Sequence, residues 1–257
     1  MRDSRRENQQ LWDAWSDDFQ SLWASDTDDD ERPPAPFPLT PAESFEPDPP
    51  DALRIEGADF VELGCGGDQA TVGAAQADVG TATGVDFSTG QLSHARRLRE
   101  AYDVEARFLA GDVTALPLAT DGFDIAYSGW VFQMVPDLQG ALAEARRVLK
   151  PDGLLFLDVP HPVYELFDPE TEELRQSYFG PQQRRNTISD EYDADMIIFD
   201  RTVGEYHNAL VEAGLTVERI DEPGIDDPEA YRDGALASTQ PELIAKVPRS
   251  LRFWAAP

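Results

Sequence analysis

Short apolar runs alternate with glycine-containing turns and helical segments from about residue 58 to the end of the chain. The runs that we interpret as strands lie at about 58–63, 81–85, 106–109, 123–127, 154–159, 215–220 and 250–255. Strands that alternate with helices are typical of a parallel sheet whose faces are covered by those helices. The pattern therefore predicts an α/β fold built on one sheet.

Most of the segments between these runs repeat their apolar residues every three or four positions, the period of a helix with one buried face. Helices are predicted from the first strand to about Ala77, and over 91–102, 137–149 and 202–213. Ser88 is suited to cap the second of these helices, and Gly214 to stop the last. The sequence Lys150-Pro-Asp-Gly153 predicts a turn before the fifth strand.

The N-terminal segment has the same helical period and a strongly aromatic face. That face, within a predicted helix over residues 2–24, consists of Leu11, Trp12, Trp15, Phe19, Leu22 and Trp23. Two interpretations stay open, a helix docked on the core and a lid over an active site. Residues 25–50 are rich in Asp, Glu and Pro and predict a linker or an extended cover. We expect residues 1–50 to form this cover and 51–257 one domain, with insertions at about 160–200 and 221–247.

The amino-acid composition indicates which kinds of partner and cellular environment to expect. The formal net charge is −29, and Lys150 and Lys246 are the only lysines. Such an acidic surface is typical of salt adaptation, which predicts a halophilic source, and it lacks the basic clusters that attract nucleic acids. The single cysteine, Cys65, fits a reducing cytoplasm. No secretory signal or apolar run of about 18 residues is present, so we expect a cytoplasmic protein without a membrane span.

The first strand ends in a glycine-rich stretch, Phe60-Val-Glu-Leu-Gly-Cys-Gly-Gly-Asp68. Glycines at this place let the backbone turn sharply and approach a ligand, and the following helix presents free N–H groups. A nucleoside is the expected ligand. The dinucleotide pattern G-x-G-x-x-G needs a third glycine where Gln69 stands, which disfavours a nicotinamide cofactor. Asp86, at the end of the second strand, is suited to bind ribose hydroxyls in either kind of nucleoside site.

The stretch resembles motif I of class I S-adenosylmethionine-dependent methyltransferases, written E/D-x-G-x-G-x-G. Glu62, Gly64 and Gly66 match it, whereas Asp68 takes the place of the last glycine. Residues 110–118 are similar to the methyltransferase stretch in which an Asp, here Asp112, meets the adenine amino group. Residues 147–153 are similar to the structural motif R-x-L-K-P-G-G.

This resemblance implies a Rossmann-like, doubly wound, seven-stranded sheet that is mostly parallel, with an antiparallel last strand and helices on both faces. It implies S-adenosyl-L-methionine as cofactor and S-adenosyl-L-homocysteine as product. The cofactor residues that it implies are Glu62, Gly64, Cys65, Gly66, Gly67, Asp86, Phe87, Asp112, Val113 and Ser128.

The resemblance further implies direct displacement at the methyl carbon. We expect a small-molecule acceptor, because the N-terminal helix, the insertion and the C-terminal segment would enclose a pocket and no basic surface serves a polymer. We expect a monomer or a homodimer with no metal. Trp15, Tyr127 and Trp130 are candidates to hold the acceptor, although packing explains such aromatic residues equally well. His161, and after it Tyr164, is the candidate base, the alternative being a solvated loop histidine. Two other functions stay open, a noncatalytic sensor or scaffold that binds S-adenosylmethionine and an NAD-dependent oxidoreductase.

Overall fold

The computed structural model describes residues 2–24, 55–67, 69–77, 79–168, 171–180, 183–224 and 241–257. Three sequence predictions therefore lie outside the described residues: the departure from motif I at Asp68, the linker over 25–50, and most of the insertion at 221–247.

The domain is organised around a seven-stranded sheet with the order β3-β2-β1-β4-β5-β9-β8. Its strands are β1 Asp59–Leu63, β2 Thr81–Asp86, β3 Arg107–Ala110, β4 Phe123–Gly129, β5 Leu149–Pro160, β8 Thr216–Asp221 and β9 Ser250–Ala256. Strands β1 to β5 pair in parallel, and β9 runs antiparallel to both β5 and β8. The predicted fold class is confirmed. The chain order reverses between β1 and β4, and ligands bind at the carboxyl ends of strands at such a switch point.

The described helices are α1 Arg2–Ala24, α2 Gln69–Gln76, α3 Thr89–Tyr102, α4 Leu138–Val148, α5 Val203–Glu212 and α6 Pro241–Ile244. Side-chain caps define three of the N-termini. Ser88 accepts from the backbone N–H of Gln91, Asp137 accepts from Gly140, and Thr202 forms a capping box with Glu205. The cap at Ser88 agrees with the prediction, and α3 begins two residues before its predicted start. None of the helices described here has the length and apolar character needed to cross a bilayer.

The sheet has a buried aromatic row on one face. Phe60, Tyr127, Phe156 and Trp254 stack across β1, β4, β5 and β9 with ring-centroid distances of 6.5, 5.4 and 4.1 Å. The other face packs against α4 and α5 through a larger aliphatic cluster. Both faces are therefore buried, which holds the strand ends in fixed positions.

The predicted turn at 150–153 is wrong in one respect, because these residues fall within β5. Phe123 pairs with Leu149 and Ile125 with Leu154, so the register shifts and residues 150–153 form an irregular excursion of the strand. Lys150 Nζ donates to Asp59 Oδ2 and Asp124 Oδ2, both at 2.8 Å. The segment thus ties β5 to β1 and β4.

The insertion after β5 carries a 3-10 turn at Tyr164–Leu166 and a two-stranded hairpin of β6 Arg184–Asn186 and β7 Met196–Ile198. A second 3-10 turn, Phe132–Met134, follows β4. The side chain of Asn8 bonds both segments, since it exchanges hydrogen bonds with the backbone of Ile197 and donates to Met134 O. The insertion and α1 are therefore packed together beside the switch point.

Candidate functional site

A cavity of about 1000 Å³ lies at the carboxyl ends of the parallel strands. Its wall contains residues at the ends of β1, β2, β4 and β5, the loop after β3, one face of α1 and parts of the insertion. Small-molecule sites are usually about 300–1000 Å³. The cavity is therefore large enough to hold two ligands end to end.

The glycine-rich loop after β1 forms one end of this cavity. Gly64 and Gly66 have φ angles of +81° and +53°, a left-handed conformation that disfavours side chains. The N–H groups of Gly64 and Cys65 donate to Val85 O at 2.8 and 3.0 Å, and Cys65 and Gly67 line the cavity beside them. The loop therefore turns back over β2.

Glu62 stands below this loop and is buried. Its Oε2 accepts from the N–H and the hydroxyl of Thr71, at 2.9 and 2.8 Å, in the first turn of α2. The first acid of the motif thus ties the strand to the following helix, and it also lines the cavity.

Asp86 joins the glycine loop to the start of α3. Its Oδ2 accepts from Gly66 N at 2.9 Å, and its Oδ1 accepts from Ser88 N at 2.7 Å. Burial raises the pKa of Asp86 to about 6, although these N–H groups favour the charged form. Phe87 follows on the cavity wall. A carboxylate oxygen has two lone-pair directions, so Asp86 keeps capacity to accept ligand hydroxyl groups.

Asp112 lies on the wall after β3, with its side chain 13% exposed. Its Oδ1 accepts from Thr114 N at 2.9 Å, and its Oδ2 is 2.7 Å from Arg5 Nε of α1. Val113 is buried beside it and also lines the cavity. The structure thus brings Glu62, Asp86 and Asp112 to one end of the cavity, as the strand order predicts.

Helix α1 forms a wall of the cavity with its aromatic face. Trp12, Trp15 and Phe19 line it, with ring centroids about 5 Å apart. Asp13 Oδ1 accepts from the Ser88 hydroxyl at 2.8 Å and from Gly90 N at 3.1 Å. The helix is therefore docked and also covers the site, whereas opening as a lid stays a prediction.

Another part of the cavity wall is formed around Trp130, which directly follows β4. Trp130 has a φ of +56°, and strained backbone of this kind tends to concentrate at functional sites. Arg249 Cζ lies 4.7 Å from the centroid of its ring. Tyr127 lines the same region, and burial, followed by the charge of Asp158, raises its pKa well above the ordinary value.

Three of the residues predicted for the site do not line the cavity: Ser128, His161 and Tyr164. Ser128 is fully buried and donates to Leu63 O at 2.7 Å, so its hydroxyl joins β4 to β1. His161 is also buried, with Nε2 at 2.8 Å from Glu222 Oε1 and Nδ1 accepting from Val163 N at 3.0 Å. The expectation of a solvated loop histidine is wrong, because both ring nitrogens hold the loop after β5.

Asp158, Arg249 and Arg5 line the cavity, and the sequence patterns did not identify them. Asp158 had a usable signal, since it stands at the carboxyl end of a strand as Asp86 does. Arg249 and Arg5 had none, because their positions depend on how β9 and α1 pack. Gln133 also lines the cavity, and it ends the segment 128–133 after the fourth strand, which the sequence predicts to line the place where donor and acceptor meet.

Comparison with known proteins agrees with this geometry. The family model described as "Methyltransferase domain" matches residues 61–157. The demethylmenaquinone methyltransferase of Bacillus velezensis is 34% identical over 127 residues, or 48% of this chain and 52% of that protein. The malonyl-[acyl-carrier protein] O-methyltransferase 1 of Coxiella burnetii is 34% identical over 134 residues, or 47% of this chain and 44% of that protein. The chain thus spans about half the length of these curated relatives.

Solved structures show the same fold. An S-adenosylmethionine-dependent methyltransferase from Mesorhizobium loti has a TM-score of 0.64 and 24% identity, and the match covers 80% of this chain and 94% of that one. A putative methyltransferase in complex with the Trm112 methyltransferase activator of Haloferax volcanii has a TM-score of 0.55 and 20% identity, covering 98% and 93%. Residues 61–157 thus match a methyltransferase domain, and the solved structures of S-adenosylmethionine-dependent methyltransferases share the fold of the chain.

Proposed function

We propose that this protein transfers the methyl group of S-adenosylmethionine to a small-molecule acceptor by direct displacement. One observation carries the proposal. A single cavity joins the end formed by Gly66, Asp86 and Asp112 to the end formed by Trp130 and Asp158. A donor at the first end and an acceptor at the second would meet inside one enclosed space.

The residues at the first end fit the donor. A Cβ added at Gly66 would meet only Gln91 Oε1, at 3.9 Å, so the loop leaves open space toward the cavity. We assign Asp86 to the ribose hydroxyls, Asp112 and Val113 to the adenine, and the loop from Gly64 to Gly67 to the methionine part. S-adenosylmethionine supplies a methyl group that its positive sulfur has already activated.

The chain's own contribution is then positioning and exclusion of water. Holding two reactants in the right geometry can supply about 7–11 kcal/mol of the barrier. The aromatic face of α1 and the residues Tyr127 and Trp130 provide walls for this purpose. Trp15, Tyr127 and Trp130 remain our candidates for contact with the acceptor.

A small acceptor is favoured because α1 covers the cavity and the chain carries a net charge of −29. A polyanionic acceptor would need clustered basic side chains. The two curated relatives bear names that point to different acceptors, demethylmenaquinone and malonyl-[acyl-carrier protein], so they support the reaction class rather than one substrate.

The proposal is tested by calorimetric titration of the full chain with S-adenosylhomocysteine and, separately, with NAD. We expect micromolar binding of the first ligand and none of the second. Asp86→Ala should weaken binding by at least 30-fold, since about 2 kcal/mol or more is lost with charged hydrogen bonds. The exposed Arg107→Gln is the matched control. Binding of NAD without binding of S-adenosylhomocysteine would contradict the proposal and favour an oxidoreductase.

Turnover separates an enzyme from a noncatalytic sensor or scaffold. Release of S-adenosylhomocysteine is measured across a panel of hydroxyl, carboxylate and amine compounds. Tight donor binding without release from any of them would favour the noncatalytic alternative. Light scattering of the same sample decides between monomer and homodimer, and repeating it across salt concentrations tests the predicted halophilic character.

A further inference from the structure

Four buried side-chain atoms have no hydrogen-bond partner within the part of the chain that the structure describes. They are Gln91 Nε2, Gln133 Oε1, Asp158 Oδ1 and Arg249 Nε. An unsatisfied buried polar atom destabilises the folded state, so native proteins keep few of them. All four residues line the same cavity. Their clustering there indicates that a ligand supplies the missing partners.

Gln91 belongs to the donor end, whereas the other three are gathered around Trp130. Gln133 Nε2 donates to Trp130 O at 2.5 Å, and Trp130 N donates to Asp158 O at 2.8 Å. The Arg249 guanidinium lies over the indole ring at 4.7 Å. Trp130 thus contacts the side chains of Gln133 and Arg249 and the backbone of Asp158.

The atoms without hydrogen-bond partners indicate which groups a ligand must carry. Arg249 Nε is a donor and carries positive charge, whereas Asp158 Oδ1 and Gln133 Oε1 are acceptors. The other oxygen of Asp158 already accepts from Arg252 Nε at 3.1 Å. A ligand that satisfies this set must offer a proton to Asp158 and an oxygen to Arg249.

The local charge favours an oxygen acceptor over a protonated amine. Two guanidinium groups, those of Arg249 and Arg252, face one carboxylate, that of Asp158, at this end of the cavity. Nearby acids on the cavity wall are already paired, since Glu165 and Asp200 both bind Arg184. An ammonium group would therefore be repelled here, and a carboxylate or carbonyl oxygen attracted.

From this arrangement we propose an acceptor subsite for a small compound with a hydroxyl group beside a carbonyl or carboxylate oxygen. Asp158 Oδ1 binds the hydroxyl and receives its proton, Arg249 Nε binds the neighbouring oxygen, and Trp130 supports both. This inference rests on the proposed methyl transfer and names the acceptor class for it.

The transfer step balances without a further reactant. The hydroxyl oxygen forms a bond to the methyl carbon, the bond from that carbon to sulfur breaks with its electron pair going to sulfur, and the hydroxyl proton goes to Asp158 Oδ1. Asp158 is the titratable group placed for this role. His161 has both ring nitrogens engaged, and the raised pKa of Tyr127 keeps its phenol protonated.

Burial raises the pKa of Asp158 to about 6, against the lowering effects of Arg252, of a hydrogen bond with the Ser250 side chain, and of Arg249. The group is therefore ionised at neutral pH and still basic enough to accept a proton. The charged groups that face it are Arg249 and Arg252, with Tyr127 from β4.

The test is calorimetric titration of the full chain, saturated with S-adenosylhomocysteine, with four probes. They are 2-hydroxybenzoate, 3-hydroxybenzoate, benzoate and phenol. We expect the better of the two hydroxybenzoates to bind at least tenfold more tightly than either benzoate or phenol. Binding of all four within twofold of one another would overturn the proposal.

Two variants assign the atoms. Arg249→Gln should lower the affinity for the hydroxybenzoates and benzoate about tenfold and leave that for phenol within twofold. Asp158→Asn should lower the affinity for the hydroxybenzoates and phenol about tenfold and leave that for benzoate within twofold. Arg107→Gln, an exposed charge on β3, is the control. Variants that bind all four probes like the wild type would contradict the assignment.

Donor binding tests the proposed methyl transfer, and discrimination among the probes tests the acceptor subsite, so the two proposals can fail independently. Failure of S-adenosylhomocysteine to bind would count against the proposed function, and the probes would then be titrated into the protein alone. Normal donor binding with no discrimination among the probes would remove the acceptor subsite and leave the methyltransferase proposal intact.

Discussion

The donor and acceptor ends of the cavity each contain a buried aspartate at the carboxyl end of a strand, and they satisfy it differently. Burial raises the pKa of both Asp86 and Asp158 to about 6. Asp86 receives backbone N–H groups on both oxygens, whereas Asp158 has one oxygen bonded and one without a partner among the described residues. In our proposal the donor end therefore fixes its aspartate by backbone hydrogen bonds, whereas the aspartate of the acceptor end keeps one oxygen for a ligand.

This difference shows which structural features form each end of the cavity. The donor end uses local backbone geometry, namely glycines in the left-handed region and N–H groups near the start of a helix. The acceptor end uses side chains from β5, the turn after β4 and the segment before β9. Substitutions at the donor end should therefore have their effect by changing the backbone conformation. Substitutions at the acceptor end should have their effect by removing charge and hydrogen bonds.

The largest effect is expected from Gly64→Ala, which disturbs the backbone of the glycine loop at the donor end. A Cβ at this position would lie 2.5 and 2.6 Å from the methyl carbons of Val131, and the φ of +81° adds strain. We expect a loss of about 4 kcal/mol in the free energy of unfolding. Chemical denaturation measures it, and the double variant with Val131→Ala should recover only the part due to the collision. Equal stability of Gly64→Ala and wild type would contradict the assigned backbone conformation.

The next largest effect is the pH dependence of the free energy of unfolding, which we compare in variants of Asp158 and Asp86. The pKa of Asp158 is raised from 3.8 to about 6 in the folded protein, so the folded state holds more protons than the unfolded state in this window. Stability therefore falls as pH rises through it. Relative to Asp158→Asn, the wild type should lose about 2.4 kcal/mol of unfolding free energy between pH 4 and pH 7.

Asp86→Asn provides the matched comparison, because burial also raises the pKa of Asp86 to about 6. In both variants the free energy of unfolding should depend less on pH than it does in the wild type. Only Asp86→Asn should reduce the affinity for S-adenosylhomocysteine. Denaturant titrations at several pH values, combined with calorimetry at pH 7, distinguish the two ends. A loss of donor affinity in Asp158→Asn as well would show that the ends are not independent.

The smallest effect concerns α1, which covers both ends. A Cβ at Gly90 would lie 2.6 Å from Ser16 Oγ and 3.0 Å from Asp13 O, so Gly90→Ala must push α1 away from α3. We expect a cost of about 2 kcal/mol. We also expect a few-fold loss in affinity for both S-adenosylhomocysteine and the hydroxybenzoate probes.

Gly204→Ala is the control for helix propensity. Gly204 lies in α5, and a Cβ there would meet only Thr202 Oγ1, at 3.9 Å. This substitution should stabilise the protein by about 0.5–1 kcal/mol without changing either affinity. A Gly90→Ala variant that behaved like Gly204→Ala would show that the close packing of α1 on α3 is not needed for binding.

Much of the fold was predictable because the signals are local. Apolar runs and helical periods identified the main strands and helices, and Ser88 and Gly214 marked a start and a stop near their observed places. The turn predicted at 150–153 failed because these residues lie within β5, as an irregular excursion between the paired residues Leu149 and Leu154. The hairpin of β6 and β7 was missed because its strands are short and mostly polar or half-buried.

The sequence by itself determined the donor end: the glycine turn after β1 and the acids that follow β2 and β3 lie within residues 60–113, where short-range geometry dictates their positions. Only the tertiary structure decided the acceptor end. Asp158, Arg249 and Gln133 meet because β9 inserts beside β5 and the turn after β4 folds over the cavity. The same packing closed His161 off from the site. Long-range contacts of this kind leave no period or spacing in the chain, which is why the sequence pointed to His161 and the structure points to Asp158.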